Sequence, residues 1–150
     1  MLVSDMSIEI AQLKEASQDI LKDVNSLLAQ LRKDSSEKSG TLEGLKYVTG
    51  NDHIVMIAAK DGERVVGMGF LHLITKVGSE AGHIEDVVVD GAYRGQGLGE
   101  KIIQKLIDIA RKKNLTALHL TSKPARVVAN KLYQKLGFEL RETNVYRLKL

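Results

Sequence analysis

Val87–Gly99 reads VVVDGAYRGQGLG, and within it the pattern changes from a buried strand to a helix. Three valines typical of a strand lead into a glycine-rich turn, and the helical pattern begins at Gly97. Glycines let the backbone approach a ligand, and the first N–H groups of a helix have no intrahelical acceptor. These N–H groups and the helix dipole form a site for a phosphate, and Arg94 adds a charged donor.

Two common phosphate-binding motifs do not fit this turn. A P-loop requires Gly-Lys-Ser/Thr, whereas Gly99 is followed by Glu100 and Lys101. The dinucleotide motif requires a third glycine where Glu100 stands, and an acidic residue about 20 positions later, which Leu115–Ser122 lacks. A tight strand-to-helix connection without any ligand remains the alternative.

The rest of the chain predicts alternating strands and helices. Helical spacing of apolar residues predicts a first helix capped by Ser17, and Asp61-Gly62 predicts a hairpin turn between two strands. Gly67 and Gly69 in the second of these strands indicate a bulge or a close backbone approach. Pro124 is expected in the first turn of the last helix. The remaining predicted elements are a strand opening at Ile8–Ala11, a short helix Leu42–Val48, strands His53–Ala59, Val65–Thr75, His83–Val89 and Ala117–Leu120, a helix Gly97–Lys113 and closing strands Phe138–Arg141 and Val145–Lys149.

This order, βα(α)βββαβαββ, predicts an α/β (α+β) fold in a single domain, residues 1–150. Helices would flank a mixed sheet, because three strands meander before a helix crosses over to a further strand. The predicted sheet has about seven strands and is mostly antiparallel, with about four helices.

Composition excludes several classes of protein. The 150 residues are 43% hydrophobic and 27% charged, the balance of a soluble globular protein. Cysteine is absent, which excludes disulfides, thiolate metal sites and a cysteine nucleophile. Without a membrane-length apolar run or a signal-peptide pattern, a cytoplasmic location is expected. Six Phe and Tyr residues and no Trp argue against a nucleic-acid module.

Charge is distributed unevenly along the chain. Residues 1–93 hold 9 Lys/Arg and 15 Asp/Glu, a net charge of −6, whereas residues 94–150 hold 13 and 4, a net charge of +9. This polarity suggests one surface that attracts cations and one that attracts anions, unless it is only a chance arrangement of solvated charges.

Two motifs resemble the GCN5-related N-acetyltransferase (GNAT) superfamily. Arg94-Gly95-Gln96-Gly97-Leu98-Gly99 is similar to the family's Arg/Gln-x-x-Gly-x-Gly motif, and LYQKLGF, residues 132–138, is similar to its Leu-Tyr-x-Lys-x-Gly-Phe segment. The motifs follow the family's order, and the predicted strand order resembles its fold over nearly the whole chain. GHIEDVVV, residues 82–89, is similar in particular to glucosamine-6-phosphate N-acetyltransferases.

The resemblance implies acetyl-CoA as donor and a primary amine as acceptor. It implies that Gly95–Glu100 hold the pyrophosphate through backbone N–H groups and that Val87, Val88 and Val89 pair with the pantetheine. One valine N–H would stabilise the oxyanion. Tyr133 is the family's candidate general acid for the leaving thiolate, with packing at a helix end as the alternative.

Other candidate residues are weaker. Glu85 is favoured as the base and Asp86 for positioning the ammonium, although a bulge would change which face each occupies. Arg126 stands where the family often has a cofactor-binding asparagine, and Asn130 is a second candidate for that contact. The four histidines show no metal-ligand spacing, so no metal is expected.

The acceptor stays open between two classes. Glu15, Asp19 and Asp23 recur every four residues, which favours a small cationic amine or a basic peptide unless they are a solvated helix face. A glucosamine 6-phosphate acceptor is the alternative, and a non-catalytic CoA-binding module is the second. A homodimer is also expected, with the two closing strands as pairing elements.

Overall fold

The computed structural model describes residues 7–32 and 38–150. The chain forms two compact units, Met1–Leu120 and Thr121–Leu150. A single domain over residues 1–150 stays a prediction. In chain order the regular elements are β1 (Glu9–Gln12), α1 (Gln18–Leu31), α2 (Leu42–Thr49), β2 (Ile54–Asp61), β3 (Arg64–Lys76), β4 (Ser79–Val89), a 3₁₀ turn (Gly91–Tyr93), α3 (Leu98–Lys112), β5 (Leu118–His119) and α4 (Val127–Lys135).

The first unit is built on a sheet of five strands in sequence order. Each strand from β1 to β4 pairs antiparallel with the next, whereas β5 pairs parallel with β4. The β4–β5 ladder is short and consists of Gly82 opposite Leu118 and His83 opposite His119. The sheet is therefore mixed and mostly antiparallel, as predicted, and the α/β class is confirmed.

Local sequence accounts for the helix ends. The Ser17 hydroxyl accepts a hydrogen bond from the Ile20 N–H at 3.2 Å, which confirms the predicted cap of α1. Thr41 caps α2 in the same way through the Gly44 N–H at 3.0 Å. Gly50 ends α2, and its N–H donates to the Lys46 carbonyl.

The two faces of the sheet are covered by different helices. Met68 of β3 is buried with the apolar stripe of α1, whereas a Cβ added to its neighbour Gly69 would meet Ile102 and Leu106 of α3. Because successive strand residues point to opposite faces, α1 and α3 lie on opposite sides of β3. The side chains in the α1 core are Leu13, Ile20, Val24, Leu27, Leu45, Met56, Ala58, Val65, Met68 and Val88.

The close approach predicted at the β3 glycines is confirmed. A Cβ on Gly69 would lie 2.8 Å from the Cγ2 atom of Ile102, and one on Gly67 would lie 3.1 Å from its Cδ1 atom. A larger residue at position 69 would therefore require Ile102 to shift, whereas at position 67 the end of the Ile102 side chain would have to give way only slightly. These glycines thus allow α3 to pack closely on β3.

The prediction of two closing strands is wrong. Residues 138–150 form no regular secondary structure, so the sheet has five strands rather than about seven. Leu140, Val145 and Leu148 are 91%, 74% and 83% exposed. The alternation of apolar and polar residues there favours a strand, but a strand also requires a neighbour that takes its hydrogen bonds and a surface that buries one face.

The start of the last helix also differs from the prediction. Pro124 precedes α4 by three residues and lies in a turn that the Arg126 N–H closes on the Lys123 carbonyl at 3.0 Å. Proline suits the second position of such a turn because its φ is already fixed near the required value. Gly137 follows α4 with φ 98°, the left-handed conformation typical of a glycine that ends a helix.

Candidate active site

A bulge interrupts β4 at the carboxylates. Phe70 of β3 pairs with Glu85 and Met68 pairs with Val88, so Gly69 alone faces both Asp86 and Val87. Asp86 has φ 49°, the left-handed conformation that the first residue of one bulge type requires. Aspartate is one of the few side chains that tolerate this conformation. The aspartate that the sequence predicts to position the ammonium thus also suits the backbone geometry of position 86.

The bulge decides which side chains share a face. Ile84 lies opposite Leu71 and Val88 lies opposite Met68, and these two β3 residues point to opposite faces. Ile84 and Val88 would share a face in a regular strand, because they are four residues apart. The bulge instead places Glu85 on the same face as Val88, which is the α1 face.

Beyond His83, β4 has a strand neighbour on only one side. Its ladder with β5 ends there, among the residues that the structure describes. The Asp90 N–H donates to the Val66 carbonyl at 2.8 Å, so Asp90 and Val88 turn their backbone groups toward β3 and Val89 turns its groups away. On this edge the Val89 carbonyl accepts from Arg94, and the Val89 N–H belongs to no ladder among the described residues.

The glycine turn keeps its backbone amides free. Gly95 and Gly97 have φ of 81° and 77°, and a Cβ on either would meet nothing within 4 Å. The hydrogen bond from the Lys101 N–H to the Gly97 carbonyl begins the ladder of α3. In the described part of the chain, no protein acceptor is found for the N–H groups of residues 95–99. Packing therefore does not explain these glycines, whereas their left-handed backbone does, and the amides that this backbone leaves free suit an anion at the helix start.

Side chains of two other elements, α1 and β2, contact the residues that lead into this turn. The Gln30 side chain of α1 accepts from the Gly91 N–H at 2.9 Å and donates to Asp90 at 3.2 Å. Tyr93 donates its hydroxyl hydrogen to Asp61 of the β2–β3 hairpin at 2.6 Å, and this hydrogen bond raises the pKa of the Tyr93 phenol. Sequence reasoning misses these contacts, because Gln30 and Asp61 are distant in sequence from the turn, and the motif that contains Asp61 predicts only a hairpin.

Asp90 makes several of the contacts that lead into the turn. Its carboxylate accepts from the Ala92 N–H at 2.9 Å and lies 3.6 Å from the Arg64 guanidinium. The Ala92 hydrogen bond, followed by the one from Gln30, lowers the pKa of Asp90. Arg94 donates from Nε to the Val89 carbonyl at 3.1 Å, so its remaining N–H groups are available at the mouth of the turn.

Glu85 has a histidine partner. His83 Nε2 lies 3.1 Å from Glu85 Oε1, and the two side chains are 28% and 50% exposed. His83 and Glu85 are two residues apart before the bulge, so they point to the same face. Glu85 is thus positioned on the strand that leads to the valines, within reach of solvent.

Tyr133, Arg126 and Asn130 belong to the second unit. Tyr133 is 9% exposed, and burial raises the pKa of its phenol, an effect that the nearby charge of Arg126 partly offsets. Its ring packs edge-on against Phe138, with centroids 6.0 Å apart. The Asn130 side-chain amide donates to the carbonyls of Lys123 and Arg126, both at 2.9 Å. Those two donors are therefore occupied in the turn before α4.

The acidic line on α1 is partly occupied by structural contacts. Glu15 precedes α1 and pairs with Lys60 at 3.0 Å. The Asp23 carboxylate accepts from the Val65 N–H of β3 at 2.9 Å. Among the described residues, no three His, Asp or Glu side chains are arranged to hold a metal ion.

Every helix within residues 7–32 and 38–150 is too short or too polar to cross a membrane.

Comparison with known proteins identifies the family. The family model described as "Acetyltransferase (GNAT) family" matches residues 21–138. Glucosamine 6-phosphate N-acetyltransferase of Trypanosoma brucei brucei is 42% identical over 82 residues, 53% of this chain and 54% of that protein. A probable glucosamine 6-phosphate N-acetyltransferase 2 of Oryza sativa subsp. japonica is 35% identical over 95 residues, 59% and 55% of the two chains.

Solved structures give the same result over almost the full length. An acetyltransferase of Trypanosoma brucei superposes with a TM-score of 0.76 at 31% identity and covers 96% of this chain and 100% of its own. The curated relatives, in contrast, are matched over only about half of their length. The family model covers more than half of the chain, and the chain therefore belongs to the acetyltransferase (GNAT) family.

Proposed function

We propose that the chain transfers an acetyl group from acetyl-CoA to a primary amine. The observation that carries the proposal is the run of free amides at residues 95–99, at the start of α3 and beside a one-sided strand edge. Backbone N–H groups at a helix N-terminus suit a pyrophosphate, and Arg94 and Glu100 border that position. The edge of Val87–Val89 suits an extended chain that adds to the sheet.

Bound acetyl-CoA supplies an activated acetyl group as a thioester. A valine N–H on the free edge donates to the carbonyl oxygen, where negative charge develops as the amine attacks. Glu85 receives the amine proton, and Asp86 binds the ammonium before it is deprotonated. Tyr133 donates its proton to the leaving sulfur, and its raised pKa keeps the phenol protonated at neutral pH. Arg126 and the Asn130 carbonyl oxygen remain candidates for cofactor contacts.

Two acceptor classes are compared in the proposal. A cationic acceptor drawn to the α1 acidic line loses support, because Glu15 and Asp23 already contact Lys60 and the Val65 N–H. The names of the rice and trypanosomal relatives favour glucosamine 6-phosphate instead. A small cationic amine or a basic peptide is nevertheless kept as a second acceptor class to be assayed, because Asp86 and Glu85 provide negative charge beside the valines.

Binding and turnover test the proposal separately. Calorimetry should show acetyl-CoA binding, and a thiol-release assay should show turnover with at least one of glucosamine 6-phosphate, a polyamine, an aminoglycoside and a basic peptide. Binding without turnover against any amine would indicate a CoA-binding module. No binding of acetyl-CoA would overturn the proposal altogether.

We also propose that the chain forms a homodimer through its second unit. Seven of the ten large hydrophobic side chains that are exposed in the described residues belong to this unit of 30 residues: Val127, Val128, Leu140, Val145, Tyr146, Leu148 and Leu150. Exposed apolar groups at this density mark an interaction surface. A second copy offers the same segment for symmetric pairing.

A further inference from the structure

Three histidines form a row across the sheet beside Glu85. His72 of β3 lies opposite His83 of β4, and His83 lies beside His119 of β5. Residues that are directly paired in adjacent strands project from the same face, with Cβ atoms about 5 Å apart in an antiparallel pair. The row therefore shares the face of Glu85.

Within the row, only His83 has a carboxylate partner in the described residues. Its Nε2 atom lies 3.1 Å from Glu85 Oε1, whereas no hydrogen bond or ion pair to a side chain is found for His72 or His119. The titratable groups that the strand register brings beside His83 are thus Glu85, His72 and His119. A carboxylate–imidazole pair of this kind can pass a proton.

A carboxylate alone is a poor base for an alkylamine. Carboxyl groups ordinarily titrate at about pH 4, imidazoles at about pH 6.5 and alkylammonium groups at about pH 10. A proton taken from the amine is therefore held about 100-fold more firmly by an imidazole than by a carboxylate, because two pKa units separate them. His83 is far from the valines, since strand residues rise by about 3.3 Å each, so Glu85 must act between them.

We propose that His83 is the proton sink of the acetyl transfer and acts through Glu85. This inference rests on the proposed function. The amine nitrogen forms a bond to the acetyl carbon while the carbon–sulfur bond breaks, and the electron pair of that bond leaves on the thiolate, which takes its proton from Tyr133. The electron pair of the N–H bond stays on nitrogen, and its proton passes to Glu85, directly or through water. Glu85 transfers the proton to His83 Nε2. The Glu85 carboxylate is thereby restored. The imidazolium returns a proton to solvent and goes back to the tautomer that is protonated at Nδ1, so that Nε2 can accept again, and Tyr133 takes up a proton from solvent.

The variant His83→Gln separates a proton sink from a merely structural partner. Glutamine still donates a hydrogen bond to Glu85 but cannot accept the proton. We expect kcat/KM to fall by about 10- to 100-fold, with the affinity for acetyl-CoA unchanged, because only the sink is lost. The wild-type rate should decrease as pH falls through the imidazole range, and in His83→Gln this limb should move toward the carboxylate range.

Controls make the result specific. His53→Gln removes a histidine outside the row and should keep the wild-type rate and pH profile. Compared with the wild-type protein, the imidazole ¹⁵N resonances of His83 should shift in Glu85→Ala and should be unchanged in Asp86→Asn. This readout requires no turnover. An unchanged rate and pH limb in His83→Gln, or unchanged resonances in Glu85→Ala, would overturn the inference. Wild-type protein that fails to bind acetyl-CoA would instead overturn the proposed function.

Discussion

Asp86 combines a chemical and a conformational role at one residue. Its φ of 49° lies in the left-handed region, and its carboxylate is proposed to bind the acceptor ammonium. Glycine and asparagine both tolerate this conformation, whereas a β-branched residue does not. We expect Asp86→Gly and Asp86→Asn to keep the free energy of unfolding within about 0.5 kcal/mol, and Asp86→Val to lower it by about 1–2 kcal/mol. Urea unfolding measures all three.

The same variants separate the carboxylate from the bulge. If the Asp86 side chain binds the ammonium, Asp86→Gly and Asp86→Asn should raise KM for the amine while stability is retained. If Asp86 serves only the backbone, both variants should be fully active. A large loss of stability in Asp86→Gly would contradict the assignment of position 86 to the bulge.

Tyr133 gives a pH-dependent prediction. Burial raises the pKa of this phenol, so the folded protein binds the proton more tightly than the unfolded chain. The stability from this group is complete below the ordinary phenol pKa of about 10 and is lost as pH rises further. Tyr133→Phe should therefore reduce the fall in melting temperature between about pH 9.5 and 11, measured by circular dichroism. The pKa of the Tyr93 phenol is also raised, but by its hydrogen bond to Asp61, so the melting temperatures of Tyr93→Phe over the same pH range are the comparison for an effect of burial.

Activity of Tyr133→Phe tests the other role of the phenol. A general acid contributes about 10²- to 10⁴-fold to the rate, so kcat should fall by at least 100-fold while acetyl-CoA still binds. Retention of most of the activity would assign Tyr133 to packing against Phe138 alone.

At the level of elements, the glycine turn makes the strongest prediction. Gly97 has φ 77° with open space around its Cβ position, and Gly62 in the β2–β3 hairpin has φ 59° with equally open space. Alanine at either position should cost about 1–2 kcal/mol of stability through the same backbone strain. Only Gly97→Ala should also weaken acetyl-CoA binding, by at least tenfold in calorimetry. Equal affinities of the two variants would show that the turn does not hold the ligand.

How much of the molecule the sequence predicts depends on how local each cause is. Ser17, Gly50 and the hairpin at Asp61-Gly62 act on neighbouring residues, and the elements that they delimit were predicted correctly. The bulge at Asp86 was only an option, because it depends on how β3 and β4 pair. The support of Asp90 by Gln30 was missed, because no local pattern encodes a contact between residues 60 positions apart.

The two closing strands predicted from the sequence do not form, and the reason concerns the whole molecule. Residues 145–149 have the alternation of a strand, and the structure nevertheless leaves Val145, Tyr146 and Leu148 exposed. A strand pattern is realised only when a neighbouring strand completes its hydrogen bonds. A segment that has the pattern but pairs with no strand among residues 7–32 and 38–150 is suited to pairing between copies.

This surface leads to a prediction about assembly. We expect sedimentation equilibrium to show a dimer of the wild-type chain and a monomer of the double variant Val145→Ser, Leu148→Ser, because an interface needs its apolar groups desolvated. Val77→Ser is the matched control, since Val77 is fully exposed at the β3–β4 hairpin of the first unit and should leave the dimer intact. Unfolding in urea should be similar for all three at monomeric concentrations. A double variant that still dimerises, or a wild-type chain that stays monomeric up to about 100 µM, where even weak specific pairs with Kd near 1 µM associate, would place the exposed apolar residues outside any dimer interface.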